Sequence, residues 1–584
     1  MLEQQSFHIE SRGVRLAASL IVPADGVHRL LLVAQPLVEE RKAALPAIME
    51  ASRQLAERLG FAVLRVDYPG TGDSEGDFSD FGPDDWIAAL EDAAAWLSER
   101  FGSLPLVCLG VRTGAALLLA AREVESRKSN VECREEGHMT YDLGHSTQVL
   151  WDPVSGEEAV KQWLQRHMVN DMVAYGKARI SRSALESTLA GGGSADLDGF
   201  ELSGAQYAGL LSLGLGNASA RTLAIVSGRP APATAKWAEA NAGTAELVQL
   251  RTPPYWNSVG YVDTAELRKA TEAWLEVESQ KSKVKSPTAQ LSNYPTIQPT
   301  NCQTVKPSNR QTIQERFVFI ASGGGTVRGV LTLPVGEIRR TVLFLGGWSG
   351  DRQGPHRLFL LYARHLAGQG TASLRIDYRG RGESDGEHND AGIATMADDA
   401  ERAAEWLRSE GLLPCGLDVI AICSGCKVAI TLATRVDVRH LDLLSAEAMG
   451  SLRAKGTNAA KTASALQKYF RKLFRRETWR KIFRGEVRTD MVGKALAHHE
   501  TRSADEAKAE DGVLGRFRSY RGTIAFVYGG SDPDAPGAQA GYGRFCRKHS
   551  ISATFDTVPN AGHSYYALDW TVRVFDLLDR SAQL

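Results

Sequence analysis

The chain repeats itself. A strand-like segment from Gly13 to Pro23 has a counterpart from Thr326 to Pro334, with the two prolines 311 positions apart. An apolar run entering Gln35-Pro36-Leu37 is matched, at the same offset, by one entering Gly346-Gly347-Trp348. Asp67-Tyr68-Pro69-Gly70-Thr71-Gly72-Asp73-Ser74 reappears 310 positions later as Asp377-Tyr378-Arg379-Gly380-Arg381-Gly382-Glu383-Ser384. Gly110-Val111-Arg112-Thr113-Gly114 aligns with Ala421-Ile422-Cys423-Ser424-Gly425, which puts Arg112 opposite Cys423. Four matches in one order at nearly one offset require two copies of one fold.

Between the copies, residues 279–313 are rich in Ser, Thr, Gln, Pro and Lys and lack apolar periodicity. Such a composition buries no core and reads as a flexible linker. The division is therefore 1–278, a linker at 279–313, and 314–584. Within each copy, short β-branched runs such as Ala62 to Val66 alternate with amphipathic stretches such as Asp85 to Arg100. That alternation predicts an α/β fold, a mainly parallel sheet with helices on both faces, whose chemistry sits at the strand C-termini. Helical insertions at roughly 155–220 and 450–518 interrupt the two copies as caps.

The second copy carries a nucleophile-elbow pattern, in which a strand turns sharply into a helix and small residues flank the turn. The small residues are Ala421 and Gly425, so the central slot falls on Cys423; Ser424 is the alternative frame. A thiol at a helix start feels the positive end of the helix dipole, and a nearby histidine can act as its base. The expected chain order of nucleophile, acid and histidine selects Asp532 after the strand Ile524 to Tyr528, with Asp534 second and Glu447 outside the main choice. It then selects His563 in Asn560-Ala561-Gly562-His563. The backbone N–H groups of Ser424 and Trp348 would form the oxyanion hole. Cys423 and Cys426 also form a C-x-x-C, but no second pair completes a zinc site, so neither metal nor cofactor is expected.

The first copy lacks these parts. Arg112 fills the nucleophile slot, no carboxylate stands in Ser227-Gly228-Arg229-Pro230-Ala231, and no histidine stands near Tyr255-Trp256-Asn257. This copy reads as a scaffold, or as a binding module in which Arg112 holds a substrate carboxylate or phosphate.

With these residues in place, the chain resembles bacterial α/β-hydrolase-fold proteins of the serine-aminopeptidase-like group, and in particular the two exosortase A system-associated hydrolases fused together. The first copy carries this resemblance in Gln35 to Lys42, Asp67 to Gly70, Leu150 to Gly156 and Gly199 to Ser203. The second carries it in Gly346-Gly347-Trp348, Gly354-Pro355-His356-Arg357, Asp377 to Gly380, and Phe470 to Phe474 with Trp479-Arg480-Lys481. The resemblance covers nearly the whole chain outside the linker and implies two tandem α/β-hydrolase domains with helical caps. It implies no particular substrate. A Cys in the elbow departs from the usual Ser and resembles dienelactone hydrolases.

Lys468 to Arg488 holds nine Lys/Arg against Glu477 and Glu486, with apolar residues at helical spacing. This reads as a cap helix with a solvated basic face, and Arg471 and Arg475 are candidate contacts for an anionic acyl carrier. The whole chain is otherwise neutral, with 68 Lys+Arg against 69 Asp+Glu. That balance argues against nucleic acid as a partner. No apolar run is long enough to span a bilayer, and no signal peptide is evident. Seven cysteines in 584 residues make no disulfide framework, which fits a reducing cytoplasmic location. The expected function is hydrolysis of an ester or thioester, small or carrier-bound, through an acyl-enzyme on Cys423. An acyltransferase or cyclase using the same triad and a non-catalytic scaffold are the alternatives, and a homo-oligomer stays open.

Overall fold

The structure is a computed structural model that describes residues 2–128, 143, 146–175, 177–218, 221–258, 260–281, 313–388, 391–453 and 504–583. The first copy contributes β1 (Leu2–Ser11), β2 (Val14–Pro23), β3 (Arg29–Ala34), β4 (Phe61–Val66), β5 (Leu106–Val111), β6 (Thr147–Trp151), β7 (Ser194–Leu197), β8 (Phe200–Ser203), β9 (Thr222–Ser227) and β10 (Ala245–Leu250). The second contributes β11 (Gln314–Ser322), β12 (Gly325–Leu333), β13 (Arg340–Leu345), β14 (Thr371–Asp377), β15 (Leu417–Ile422), β16 (Val438–Leu444), β17 (Thr523–Gly529) and β18 (Ser552–Val558). Each copy builds an eight-stranded sheet, in the orders β1-β2-β4-β3-β5-β6-β9-β10 and β11-β12-β14-β13-β15-β16-β17-β18. Both begin with two antiparallel pairings and run parallel from the third strand of the order on. β4, β5 and β15 are buried at every position. Helices cover both sheet faces, so these strands carry continuous apolar runs instead of alternation.

The insertion of the first copy lies between β6 and β9 and contains the helices Gly156–Tyr175, Arg182–Ala190 and Gly204–Ser212 with the β7-β8 hairpin. In the second copy it lies between β16 and β17 and includes the helix Ala504–Phe517. The basic stretch Lys468 to Arg488, with Arg471 and Arg475, lies outside the described residues, as does 282–312 of the expected linker. The last helix of the first copy, Ala265–Lys281, runs three residues past the expected boundary at 278. No helix among the described residues is long and apolar enough to cross a membrane.

The two copies face each other through their Asp-Tyr-x-Gly loops, and the contacts are reciprocal. Arg65 of the first copy pairs with Glu383 of the second, and Arg375, its counterpart, pairs with Asp73 at 2.7 Å. Arg53 donates to the carbonyls of Glu383 and Ser384; Arg364, its counterpart, donates to those of Asp73 and Ser74. Arg352 joins Asp73, Asp377 and Glu383 at 2.8, 2.5 and 3.2 Å. Arg41, at the equivalent position, reaches Asp67 at 3.2 Å and Asp351 at 3.6 Å. A contact that recurs with its two partners exchanged is the signature of an isologous interface. The chain is folded as a pseudo-symmetric dimer of its own halves.

Arg352, Arg375, Asp73 and Glu383 are all buried. Burial alone would raise the Asp73 carboxyl, but Arg352 and Arg375 hold it well below the usual carboxylate range. Glu315 is likewise opposed by burial yet brought down to about 2 by Arg364 and Arg375. Removing one member of such a set leaves buried charge without a partner and costs about 3–5 kcal/mol. Asp73→Asn should therefore destabilise the protein by about 3 kcal/mol in urea unfolding. Because both carboxyls have folded values below their unfolded ones, their contribution is complete above about pH 4.5 and is lost as pH falls toward 2. The wild type should lose more stability over that window than Asp73→Asn. Equal stability of the two proteins at pH 7 would remove the network from the account.

Candidate active site

β15 delivers its last residue, Ile422, into a sharp turn, and the helix Gly425–Leu432 follows at once. The turn residue is Cys423, with φ +58°, whereas Ser424 already has helical φ −64° and ψ −19°. In the first copy the same strained slot is Arg112, with φ +55°. A non-glycine residue in this region costs on the order of 1–3 kcal/mol and persists only where its surroundings enforce it. They do so here by close approach. A Cβ on Gly425 would collide with the carbonyls of Leu345 and Gly346, and one on Gly114 with those of Ala34 and Gln35.

Four loops meet the elbow, those after β13, β16, β17 and β18. Asp532, buried after β17, accepts from His563 at 2.8 Å through Oδ2 and from the Asp534 N–H at 3.0 Å through Oδ1. Asp534, the second choice for the acid, serves instead as the residue whose amide holds Asp532. His563 also brings a ring nitrogen to within 4.8 Å of the Cys423 sulfur. Burial opposes the imidazolium, but the bond to Asp532 and the nearby Cys423 sulfur prevail and push His563 up to about 10. The histidine is thus a proton donor at neutral pH, placed beside the Cys423 sulfur.

Glu447 stands on the other side of the thiol, with Oε1 4.0 Å from Cys423 Sγ. Its second oxygen pairs at 2.7 Å with Lys427, whose ammonium is fully buried and also lies 3.5 Å from Glu510. Lys427 lets a carboxylate stand beside the thiol without adding net charge. It sits one helical turn after Cys423, the one charged residue of its helix, and that spacing is the signal by which the sequence could have revealed it. The donor atoms of Cys423, Glu447 and His563 lie within 4.8 Å of one another. Three such ligands are the number a catalytic zinc uses, and these are the residues that could hold one.

The Gly346-Gly347-Trp348 turn passes close to the elbow, so that a Cβ on Gly347 would lie 3.2 Å from that of Cys423. The Trp348 N–H, one of the two expected oxyanion donors, points to Ser424 Oγ at 2.7 Å. Ser424 therefore occupies this amide in the resting state. The Trp348 ring is 42% exposed, an unusual position for a large apolar group. It packs over Arg381 and against His388, which stacks in turn on Tyr261 of the first copy at 4.7 Å.

Arg112 in the first copy is buried and engaged. Glu40 takes its Nε and Nη2 at 3.1 and 3.4 Å, Asp152 O and Gln162 take further protons, and Trp256 covers the guanidinium at 4.6 Å. A substrate anion would have to displace Glu40 to reach it. Cys426 is fully buried and its thiol points to the carbonyls of Ala421 and Leu444. Burial holds that thiol well above its ordinary value.

Residues 342–577 match the Alpha/beta hydrolase family, and residues 12–177 match the X-Pro dipeptidyl-peptidase (S15 family). The chain is two α/β-hydrolase-fold domains in tandem. No curated protein matches it. Among solved structures, dienelactone hydrolase from Anabaena variabilis is 16% identical and aligns over 46% of this chain and 96% of its own, with a TM-score of 0.31. An alpha-beta serine hydrolase homologue from Coxiella burnetii is 13% identical, over 47% and 99%, with a TM-score of 0.30. Est1E from Butyrivibrio proteoclasticus, solved with ferulic acid bound, is 15% identical, over 46% and 100%, with a TM-score of 0.32.

If the protonated His563 supplies a proton during turnover, kcat/KM should fall as pH rises through about 10. Asp532→Asn removes one of the bonds that hold the proton and should bring that limb down in pH. A limb that stays in place in Asp532→Asn would detach the acid from the histidine.

Proposed function

We propose that the chain is an ester or thioester hydrolase whose chemistry runs through Cys423, His563 and Asp532 of the second copy. The observation that carries this reading is His563, bonded to Asp532 and within 4.8 Å of the Cys423 sulfur, at a strained elbow. In the proposed mechanism the Cys423 thiolate attacks the carbonyl carbon. The developing oxyanion takes the N–H groups of Ser424 and Trp348, the latter released as the Ser424 hydroxyl turns away. The C–O or C–S bond to the leaving group then breaks, and His563 gives that group its proton. Neutral His563 next takes a proton from water as the water attacks the Cys423 thioester, and the thiolate departs. Asp532 holds the ring in place and stabilises its charge throughout.

A Cys acyl-enzyme is a thioester, which an amine or alcohol can intercept as well as water. The same groups therefore support an acyltransferase or cyclase, and the acceptor decides between them. On the motifs quoted above, we further read the chain as a fusion of the two exosortase A system-associated hydrolases, acting in the cytoplasm on a small or carrier-bound acyl substrate. The first copy serves as a non-catalytic partner in this reading.

The test is turnover of a panel of acyl esters and thioesters, with the acyl-enzyme followed by intact mass. Cys423→Ala should abolish turnover and adduct alike. Ser424→Ala, which frees the Trp348 amide, should stay within about tenfold of wild type, or about 1.4 kcal/mol in the barrier. Activity should persist in a chelator. Turnover that survives Cys423→Ala would move the chemistry to another residue, and no turnover and no adduct with any member of the panel would favour the non-catalytic scaffold.

A further inference from the structure

A cleft of about 1180 Å³ runs between the two copies, and its walls include Tyr261 of the first and Ser349, Arg381, His388, Ser564 and Tyr566 of the second. It thus reaches the residues next to Trp348 and next to His563. At its Trp348 end stands Arg381, 5% exposed, whose partners among the described residues are all carbonyl oxygens, those of Trp348, Gly380, His388 and Ala391. The interface arginines Arg41, Arg65, Arg352 and Arg375 each pair with a carboxylate. Arg357 also rests on carbonyls, but on those of Gly70 to Gly76, a first-copy loop that it pins in place. Arg381 pins nothing across the interface. With five N–H donors, it keeps one Nη2 proton after its carbonyl contacts.

Beside it, His388 is 8% exposed, and neither ring nitrogen has a hydrogen-bond partner among the described residues. Buried polar groups are seldom left in that state unless something absent from the protein completes them. Glu387, the acid next in sequence, also lines the cleft, where the cations Arg53 and Arg268 feel its charge. Tyr261 closes the far side of the imidazole, stacked at 4.7 Å. An anionic oxygen at this point would accept from His388 and neutralise Arg381 in a largely desolvated setting, where charge-assisted hydrogen bonds are strong.

We propose that Arg381 and His388, walled by Tyr261 of the first copy, form a subsite for an anionic group of the substrate, a carboxylate or a phosphate, while the acyl carbonyl lies at Cys423. The proposal rests on the acyl-substrate reading and adds a substrate class to it. The geometry links the two sites. Arg381 Nε donates to Trp348 O at 2.5 Å, and the N–H of the same residue meets Ser424, the neighbour of Cys423. The subsite also gives the first copy a function, since the copy without a triad supplies one wall.

Calorimetric binding to the intact, reduced chain tests this without turnover. Two anionic probes are each compared with a neutral twin: 4′-phosphopantetheine with pantetheine, and monomethyl glutarate with methyl butyrate. At least one anionic probe should bind about tenfold or more tighter than its twin, the size expected for hydrogen bonds to a charged group. A preference for the phosphate would identify the leaving group as the source of the anion; a preference for the carboxylate would identify the acyl group. His388→Leu and Arg381→Met should each bring the preference to within about twofold. Folding is checked by circular dichroism, and His388→Leu carries the test should Arg381→Met fail to fold. Cys423→Ala should keep the preference, so a failed hydrolase reading would leave this result standing. Equal binding of both twins in both pairs, or a preference that survives His388→Leu, would overturn the proposal.

Discussion

The buried exchange of arginines and carboxylates between the two Asp-Tyr-x-Gly loops is the interaction on which the rest of the structure depends. Arg65 with Glu383 and Arg375 with Asp73 are one contact made twice, and Arg352 ties both halves to Asp377. Charges this deep hold position only when each has its partner, because desolvation makes any unpaired member costly. The network therefore sets the register of one sheet against the other. The cleft between the copies is a consequence of that register, with the loops at the C-terminal ends of both sheets contributing to it.

Within this frame one backbone constraint has two outcomes. Both copies force a left-handed residue between a central strand and the helix after it, and both flank it with a glycine that lies against a neighbouring turn. In the second copy the forced residue is Cys423, met by His563 and Asp532. In the first it is Arg112, whose guanidinium is neutralised by Glu40 and covered by Trp256. The loop that would hold a histidine there instead leads to Tyr261, which stacks on His388 of the second copy.

Much of this was legible in the sequence because it is local. The motifs of the repeat, the small residues about Cys423 and the acid and histidine after successive strands are all short-range signals. The strained φ fell on Cys423 rather than Ser424 because the small residues mark where the turn must be tight. The interface was not legible. Arg375 and Asp73 stand about 300 positions apart, and the Asp-Tyr-x-Gly motif looks like an ordinary turn until two copies meet. Glu40 lay inside a quoted motif, yet nothing in its spacing ties it to Arg112. The bond from Trp348 to Ser424 was hidden because it depends on the side-chain rotamer of a residue chosen for its backbone. The basic stretch with Arg471 and Arg475 was conspicuous in sequence and falls outside the described residues.

The central claim is that covalent chemistry is confined to Cys423 in the second copy while the first copy shapes the cleft. The most direct measurement is peptide mapping of the quenched intermediate after mixing the intact chain with an activated acyl ester. The account predicts one acylated peptide, containing the elbow of the second copy, with fragment ions that place the acyl group on Cys423. An acyl group on Ser424, or on any residue of the first copy, would contradict it.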